Sequence, residues 1–153
     1  MSSTAGIDPE FFLDRSLGAK QLRRALEDLT FVAHTMNERY GARQGEKVKD
    51  EVWIEDAGKN GFLILTKDDV RRIEIQVLAI ERAQAKVFWL TERGLKGSEQ
   101  VRWYLNNLNK IVAAATKPGP FMYAVYERRI ELVPLRQPDR VGQGEQTTLP
   151  ADP

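Results

Sequence analysis

Residues 63–70 read LILTKDDV. Leu63, Ile64 and Leu65 form an apolar run without polar alternation, as expected of a strand covered on both faces. Such a strand belongs in the middle of a sheet. It runs directly into Thr66, Lys67, Asp68 and Asp69. Two carboxylates at the end of a central strand are either caps for the next element or part of a chemistry. The rest of the chain bears on which.

Upstream, FFLD (11–14) reads as a short buried strand ending in Asp14. Leu22, Leu26 and Leu29 recur at i, i+4 and i+7 in SLGAKQLRRALEDL (16–29), with Ala25 beside them, which predicts an amphipathic helix with Lys20, Arg23, Arg24 and Glu27 on its solvated face. TFVAHT (30–35) predicts a second strand, and NERYGARQGEK (37–47), with two glycines and no period, a loop with room for one helical turn. KDEVWIEDAGKNG (49–61) predicts a helix that stops at Asn60-Gly61.

Downstream, residues 68–85 are mostly helical in pattern but contain the alternating run IEIQV (73–77). KVFWL (86–90) predicts a strand. Residues 98–116 predict one long helix, capped by Ser98, with Val101, Tyr104, Leu105, Leu108, Ile111 and Val112 as its apolar stripe. Lys117-Pro118-Gly119-Pro120 stops it, and FMYAVYERRIELV (121–133) predicts two strands of a hairpin. Strand and helix in alternation imply an α/β fold with a mostly parallel central sheet flanked by helices. The expected organisation is a flexible N-terminus over 1–10, a single domain over 11–133 and a flexible tail over 134–153, where four of the seven prolines lie.

Composition narrows the chemistry. A chain of 153 residues suits one domain. With no cysteine and one histidine, His34, thiol chemistry, zinc ribbons and His-rich zinc sites are excluded. A bound metal would be held mainly by oxygen, which favours Mg²⁺, Mn²⁺ or Ca²⁺. The opening MSSTAGIDPE has no basic run or apolar core, so no signal peptide is expected. No apolar stretch is long enough to span a bilayer, and a cytoplasmic, membrane-free protein is expected. Residues 11–133 hold 21 basic and 17 acidic residues, a mild surplus that permits a phosphate-bearing partner.

In an open α/β sheet, ligands bind at the carboxyl ends of the strands. Asp14 ends the first strand, and Asp68 lies just past Thr66 at the end of another. Asp50 precedes Trp53, Ile54 and Ala57 by helical spacing, so it falls on the inward stripe of its helix. The start of a helix that leads into a parallel strand lies at the same sheet edge. Two such anions 4 Å apart repel by roughly 4 kcal/mol at an effective dielectric of ~20. A hard divalent cation would offset that and would support phosphodiester hydrolysis of a nucleic acid. The structural alternative assigns Asp50 to the helix dipole and Asp14 and Asp68 to helix caps.

FFLDRSLG (11–18) and KDEVWIEDAGKNGFLILTKDD (49–69) together resemble the PIN-domain superfamily, and within it the PIN-like branch that includes VapC-type toxins. The resemblance implies a metal-dependent endoribonuclease, the toxin of a toxin–antitoxin pair, acting on RNA such as tRNA or rRNA through a metal-activated water. It implies Asp14, Asp50 and Asp68 as ligands of Mg²⁺ or Mn²⁺, with Thr66 orienting a carboxylate or water. It also implies an antitoxin partner and homodimerisation. The glutamate that many PIN nucleases carry on a helix between the first and third acids has no clear counterpart; Glu38, Glu46 and Glu51 are only substitutes by position.

Arg15, Lys67, Arg71 and Arg72 are the candidate RNA-phosphate contacts, with Arg93 and Lys96 behind them. Trp89, Trp103 and Tyr104 could stack bases, although Tyr104 lies on a core stripe. His34 reads as a structural histidine. Two rival classes stand beside the nuclease. One is a non-catalytic RNA- or protein-binding module of the same fold. The other is a receiver-like domain that accepts phosphate, against which Asp50 falls on a helix rather than at a strand end.

Overall fold

Period-two alternation gives the sheet two apolar faces. Phe11, Leu13, Leu63, Leu65, Phe88 and Leu90 pack into one core, whereas Phe12, Ile64, Val87 and Met122 pack into another. The computed structural model describes residues 8–136. Residues 1–7 and 137–153, the larger parts of the two segments expected to be flexible, lie outside the described residues.

Six strands form one sheet in the order β2-β1-β3-β4-β5-β6. β1 (Glu10–Leu13), β2 (Val32–Thr35), β3 (Leu63–Thr66), β4 (Lys86–Leu90) and β5 (Phe121–Val125) are mutually parallel. β6 (Ile130–Val133) closes the sheet as an antiparallel hairpin partner of β5. β3, the LILT strand, is buried at every position and is bracketed by β1 and β4. The expected α/β architecture is therefore what the chain adopts.

Among the described residues, seven α-helices cover the sheet. α1 (Ala19–Asp28), α6 (Gly97–Asn106) and α7 (Leu108–Ala114) place Leu22, Leu26, Tyr104 and Ile111 in the first core. α4 (Asp50–Lys59) and α5 (Glu74–Ala83) place Trp53, Ile54, Ala57 and Ile80 in the second. The chain runs from β1 to β2 on one side and then returns past β1 to β3 on the other. This reversal opens a crevice between the carboxyl ends of β1 and β3, the place where open α/β sheets bind ligands.

Several expected boundaries change. The loop expected over 37–47 contains two short helices, α2 (Met36–Tyr40) and α3 (Ala42–Lys47). The Thr35 hydroxyl accepts from the Glu38 N–H while the Glu38 carboxylate accepts from the Thr35 N–H, a capping box that offsets the lack of apolar period. Gly41, at φ 88°, separates the two helices in a conformation that costs glycine little. The long helix expected over 98–116 breaks at Asn107, whose amide donates to the carbonyls of Trp103 and Tyr126 at 2.8 and 2.7 Å. Its start is not capped by Ser98. The helix begins at Gly97, and the Glu99 carboxylate accepts from the Lys96 N–H.

The segment 68–85 starts with a 3₁₀ turn (Val70–Arg72) before α5. Asp69 caps that turn by accepting from the Arg71 N–H. The alternation at 73–77 is a helix entry in which Ile73 and Ile75 remain exposed. Leu29, expected in the core, is 47% exposed because α1 ends before it. At the margins, Glu10 already belongs to β1. Arg136, just past the expected domain end, grips Glu74 and Glu81 of α5.

Candidate active site

Asp14 follows the last residue of β1 and is 4% exposed. Its backbone N–H donates to the Leu65 carbonyl, which fixes it against β3. Oδ2 of its carboxylate accepts from the Thr66 hydroxyl at 2.7 Å and from the Ser16 hydroxyl at 2.9 Å. Both hydroxyls are oriented by backbone donors. The Asp68 N–H donates to Thr66 Oγ1 at 3.0 Å, and the Lys67 N–H reaches Ser16 Oγ at 3.5 Å. An N–H can only donate, so each hydroxyl spends its own proton on Asp14. Oδ1 receives no hydrogen bond among the described residues.

The electrostatics are unusual for a structural carboxylate. Burial raises the Asp14 carboxyl above its ordinary pKa, the Thr66 and Ser16 hydroxyls pull it back, and the charges of Asp68 and Asp50 push it up again. Among the described residues, no basic side chain bonds or pairs with its carboxylate. The alternative of a helix cap does not hold for Asp14, since α1 starts at Ala19, five residues further on, and has Gly18 as its cap, while the Leu17 N–H donates to the Asp14 carbonyl.

Asp50 opens α4 on the face of the sheet that also carries Phe12 and Ile64. Its side chain is 45% exposed rather than fully inward. Oδ1 accepts from the Trp53 indole at 3.0 Å and Oδ2 from the Gln76 amide at 3.1 Å. Arg15 approaches it at 3.8 Å and donates to the Val48 carbonyl at 2.7 Å, linking the end of β1 to the entry of α4. Asp68 is exposed, and its carboxylate has no partner among the described residues. Beneath the site, the buried Tyr104 hydroxyl lies 2.9 Å from the carbonyls of both Thr66 and Phe88 and joins the end of β3 to the middle of β4. Burial raises the Tyr104 phenol far above its ordinary range, so it serves as a neutral donor.

The sequence-predicted acids thus converge on the β1/β3 crevice. They do not close into a tight shell. Among the described residues, no three His, Asp or Glu groups stand close enough to hold one ion. In chemistry the donor set still fits a hard divalent cation. It is all oxygen, Asp14 is desolvated without a counter-charge, and Mg²⁺ keeps several waters and needs few protein ligands.

The candidate phosphate contacts divide. Lys67 is half-buried and Arg72 exposed, neither with an ion pair. Arg71 is turned inward. Its side chain is 8% exposed, it makes a two-point contact with Asp69, and its guanidinium lies 5.3 Å from the Trp89 ring centroid. His34 bonds Glu10 at 2.8 Å and stacks on Phe62, away from the three acids.

Ser16, Trp53 and Gln76 are supports that the sequence reading did not assign. Gln76 had a legible signal, because it is a polar residue on the stripe of Val77, Ile80 and Ala83. Ser16 had only its place two residues after Asp14.

A family model described as PIN like domain matches residues 9–92, more than half of the chain and a span that holds all of these groups except Tyr104. A Mycobacterium tuberculosis protein named "Putative ribonuclease VapC45" is 33% identical over 120 residues, which cover 78% of this chain and 87% of that protein. No solved structure matches the chain. With its crevice acids inside the matched span and a relative matched over most of its length alongside, the chain belongs to the PIN-like domain family.

Proposed function

We propose that the protein is a divalent-metal-dependent endoribonuclease, the toxin of a toxin–antitoxin pair, with Asp14, Asp50 and Asp68 as the residues that would hold Mg²⁺ or Mn²⁺. The observation that carries the reading is Asp14: a carboxylate buried at the β1/β3 crevice, oriented by two hydroxyls and facing two further carboxylates with no cation of its own. When bound, the metal would neutralise phosphate charge and make water more acidic. Thr66 and Ser16 hold Oδ2 of Asp14 so that Oδ1 points its lone pairs elsewhere. Trp53 and Gln76 keep Asp50 from swinging away from the helix start. Lys67 and Arg72 would contact RNA backbone without reading sequence. The name of the M. tuberculosis relative supports RNA as substrate, and an antitoxin partner follows from the toxin reading.

The competing reading is a non-catalytic binding module of the same family. The open spacing of the three acids favours it. One assay separates the two. Total cellular RNA is incubated with the purified protein and Mn²⁺, with EDTA, and with Asp68→Asn. Discrete fragments that need metal and vanish in the variant support the nuclease. A folded, partner-free protein that leaves the RNA intact favours the binding module.

A further inference from the structure

The face of α1 opposite its leucines carries Lys20, Arg23, Arg24 and Glu27. Their spacing of i, i+3, i+4 and i+7 makes one stripe. In the fold this stripe does not simply face solvent. It lines a cavity of about 610 Å³ whose lining also includes Leu13 and Arg15, the residues on either side of Asp14. The start of α2, with Thr35, completes it.

The cations differ in availability. Arg23 is paired with Glu27 at 3.2 Å and Glu38 at 2.5 Å. Arg15 is held by Val48 and Asp50. Lys20 and Arg24 are exposed, and neither side chain has an ion pair or hydrogen bond among the described residues. They stand one helical turn apart, about 6 Å along the axis.

We infer that this cleft carries the RNA strand on one side of the cleavage site, with Lys20 and Arg24 contacting backbone phosphates and Arg15 at the passage from the cleft to Asp14. The inference rests on the proposed function and adds to it the path of the substrate. A polyanion fits better than a small anion, because the cations extend from α1 to the residue beside Asp14 rather than converging on one point. RNA fits better than an acidic polypeptide, because the cleft shares residues with the crevice where a phosphodiester would be cut. The contacts go to phosphate, so they add affinity for any sequence.

The test measures binding of a fluorescent single-stranded RNA across a salt series, in EDTA so that no cleavage occurs. Each phosphate contact to a single strand contributes about 0.7 to the slope of log affinity against log salt. Lys20→Gln with Arg24→Gln should therefore flatten the slope by about 1.4. Between 0.05 and 0.2 M salt, the wild type should weaken about sevenfold more than the double variant. A control removes two cations at the opposite sheet edge, Lys59→Gln with Lys117→Gln, and should keep the wild-type slope.

Metal-dependent cleavage by the wild type is scored separately. Cleavage with an unchanged slope in the double variant overturns the cleft and leaves the nuclease standing. A flattened slope without cleavage keeps the cleft and removes the nuclease. No RNA binding by the wild type, or tighter binding of poly-glutamate than of RNA of equal charge, overturns the cleft.

Discussion

Asp14 and Asp56 are two carboxylates that the same fold treats in opposite ways. Asp56, on α4, accepts two bonds from the Arg39 guanidinium at 2.7 and 2.9 Å, one from the Tyr40 hydroxyl at 2.6 Å and one from the Asn60 amide at 3.0 Å. The Arg39 contact above all holds its pKa below the usual carboxylate value. Asp14 is the more deeply buried of the two, yet it has only hydroxyl partners and two like charges, and its pKa is raised. A carboxylate retained for stability is given a cation, as Asp56 and Asp69 are. A carboxylate buried without one raises the energy of the native state by itself. The contrast supports the proposal that a bound cation supplies the counter-charge of Asp14.

The largest expected effect breaks or keeps that contrast directly. Asp14→Asn should lower RNA cleavage by at least about a hundredfold, since it removes a group asked to supply several kcal/mol at the reacting centre. It should not lower stability. A folded-state pKa that is raised means the group's contribution to stability is complete below its unfolded pKa and is lost as pH rises through the folded value. At neutral pH, above its unfolded pKa, the buried Asp14 carboxyl is thus a net cost, and Asp14→Asn should melt no lower than wild type. Any gain should shrink as pH falls toward 4. A Tm more than about 4 °C lower, roughly 1 kcal/mol for a domain of this size, would make Asp14 structural after all.

Next in size is the effect of metal on stability. Mg²⁺ or Mn²⁺ at a hundred times its dissociation constant should stabilise the wild type by about 2.7 kcal/mol, and Asp14→Asn by much less. Equal shifts in the two proteins would place the ion elsewhere. Asp56→Ala should behave in the reverse sense. It should cost about 2 kcal/mol at pH 7, the usual scale for losing hydrogen bonds to a charged group, while cleavage per folded molecule stays at the wild-type level. Because the folded pKa of Asp56 is lowered, its contribution is present above the unfolded pKa and fades as pH falls through the folded value. The stability gap should therefore close in acid. Lost cleavage with intact stability in Asp56→Ala would erase the distinction between the two carboxylates.

How much of this was legible before the structure follows from the range of each interaction. The apolar run of β3 announced a central strand, and the strand ends placed Asp14, Thr66 and Asp68 near one another because sheet position is set by burial, which sequence records well. The order β2-β1-β3 was not legible, since it depends on which strands meet across the fold. Nor was Arg71. By sequence it was a cation near a strand end, but Asp69 two residues away and Trp89 on the next strand turn it inward. The stripe Lys20, Arg23, Arg24 and Glu27 looked solvated because its period was visible while the cavity beside Asp14 was not. Helical phase alone turns Asp50 inward. It is half exposed because a first-turn residue projects past the covered part of its helix.

The smallest effect is the sharpest test of how Asp14 is held. Thr66→Val keeps the shape of a fully buried side chain but removes the donor to Asp14 Oδ2 and the acceptor for the Asp68 N–H. Ser16 remains, so the carboxylate keeps one of its two donors. Cleavage should fall about tenfold, the scale of one charge-assisted hydrogen bond. A purely steric role for Thr66 would predict no fall, and loss of the acceptor for the Asp68 N–H could by itself lower activity, so the pH profile decides. The Thr66 hydroxyl lowers the Asp14 pKa. Its loss should raise that pKa further, and the acid limb of log kcat/KM against pH should move to higher pH. Thr66→Ser restores the hydroxyl without the methyl group and should return the limb to its wild-type position. An acid limb that stays fixed in Thr66→Val, with activity reduced, would mean that Thr66 supports the site by holding the Asp68 backbone and that its hydroxyl does not tune the charge state of Asp14.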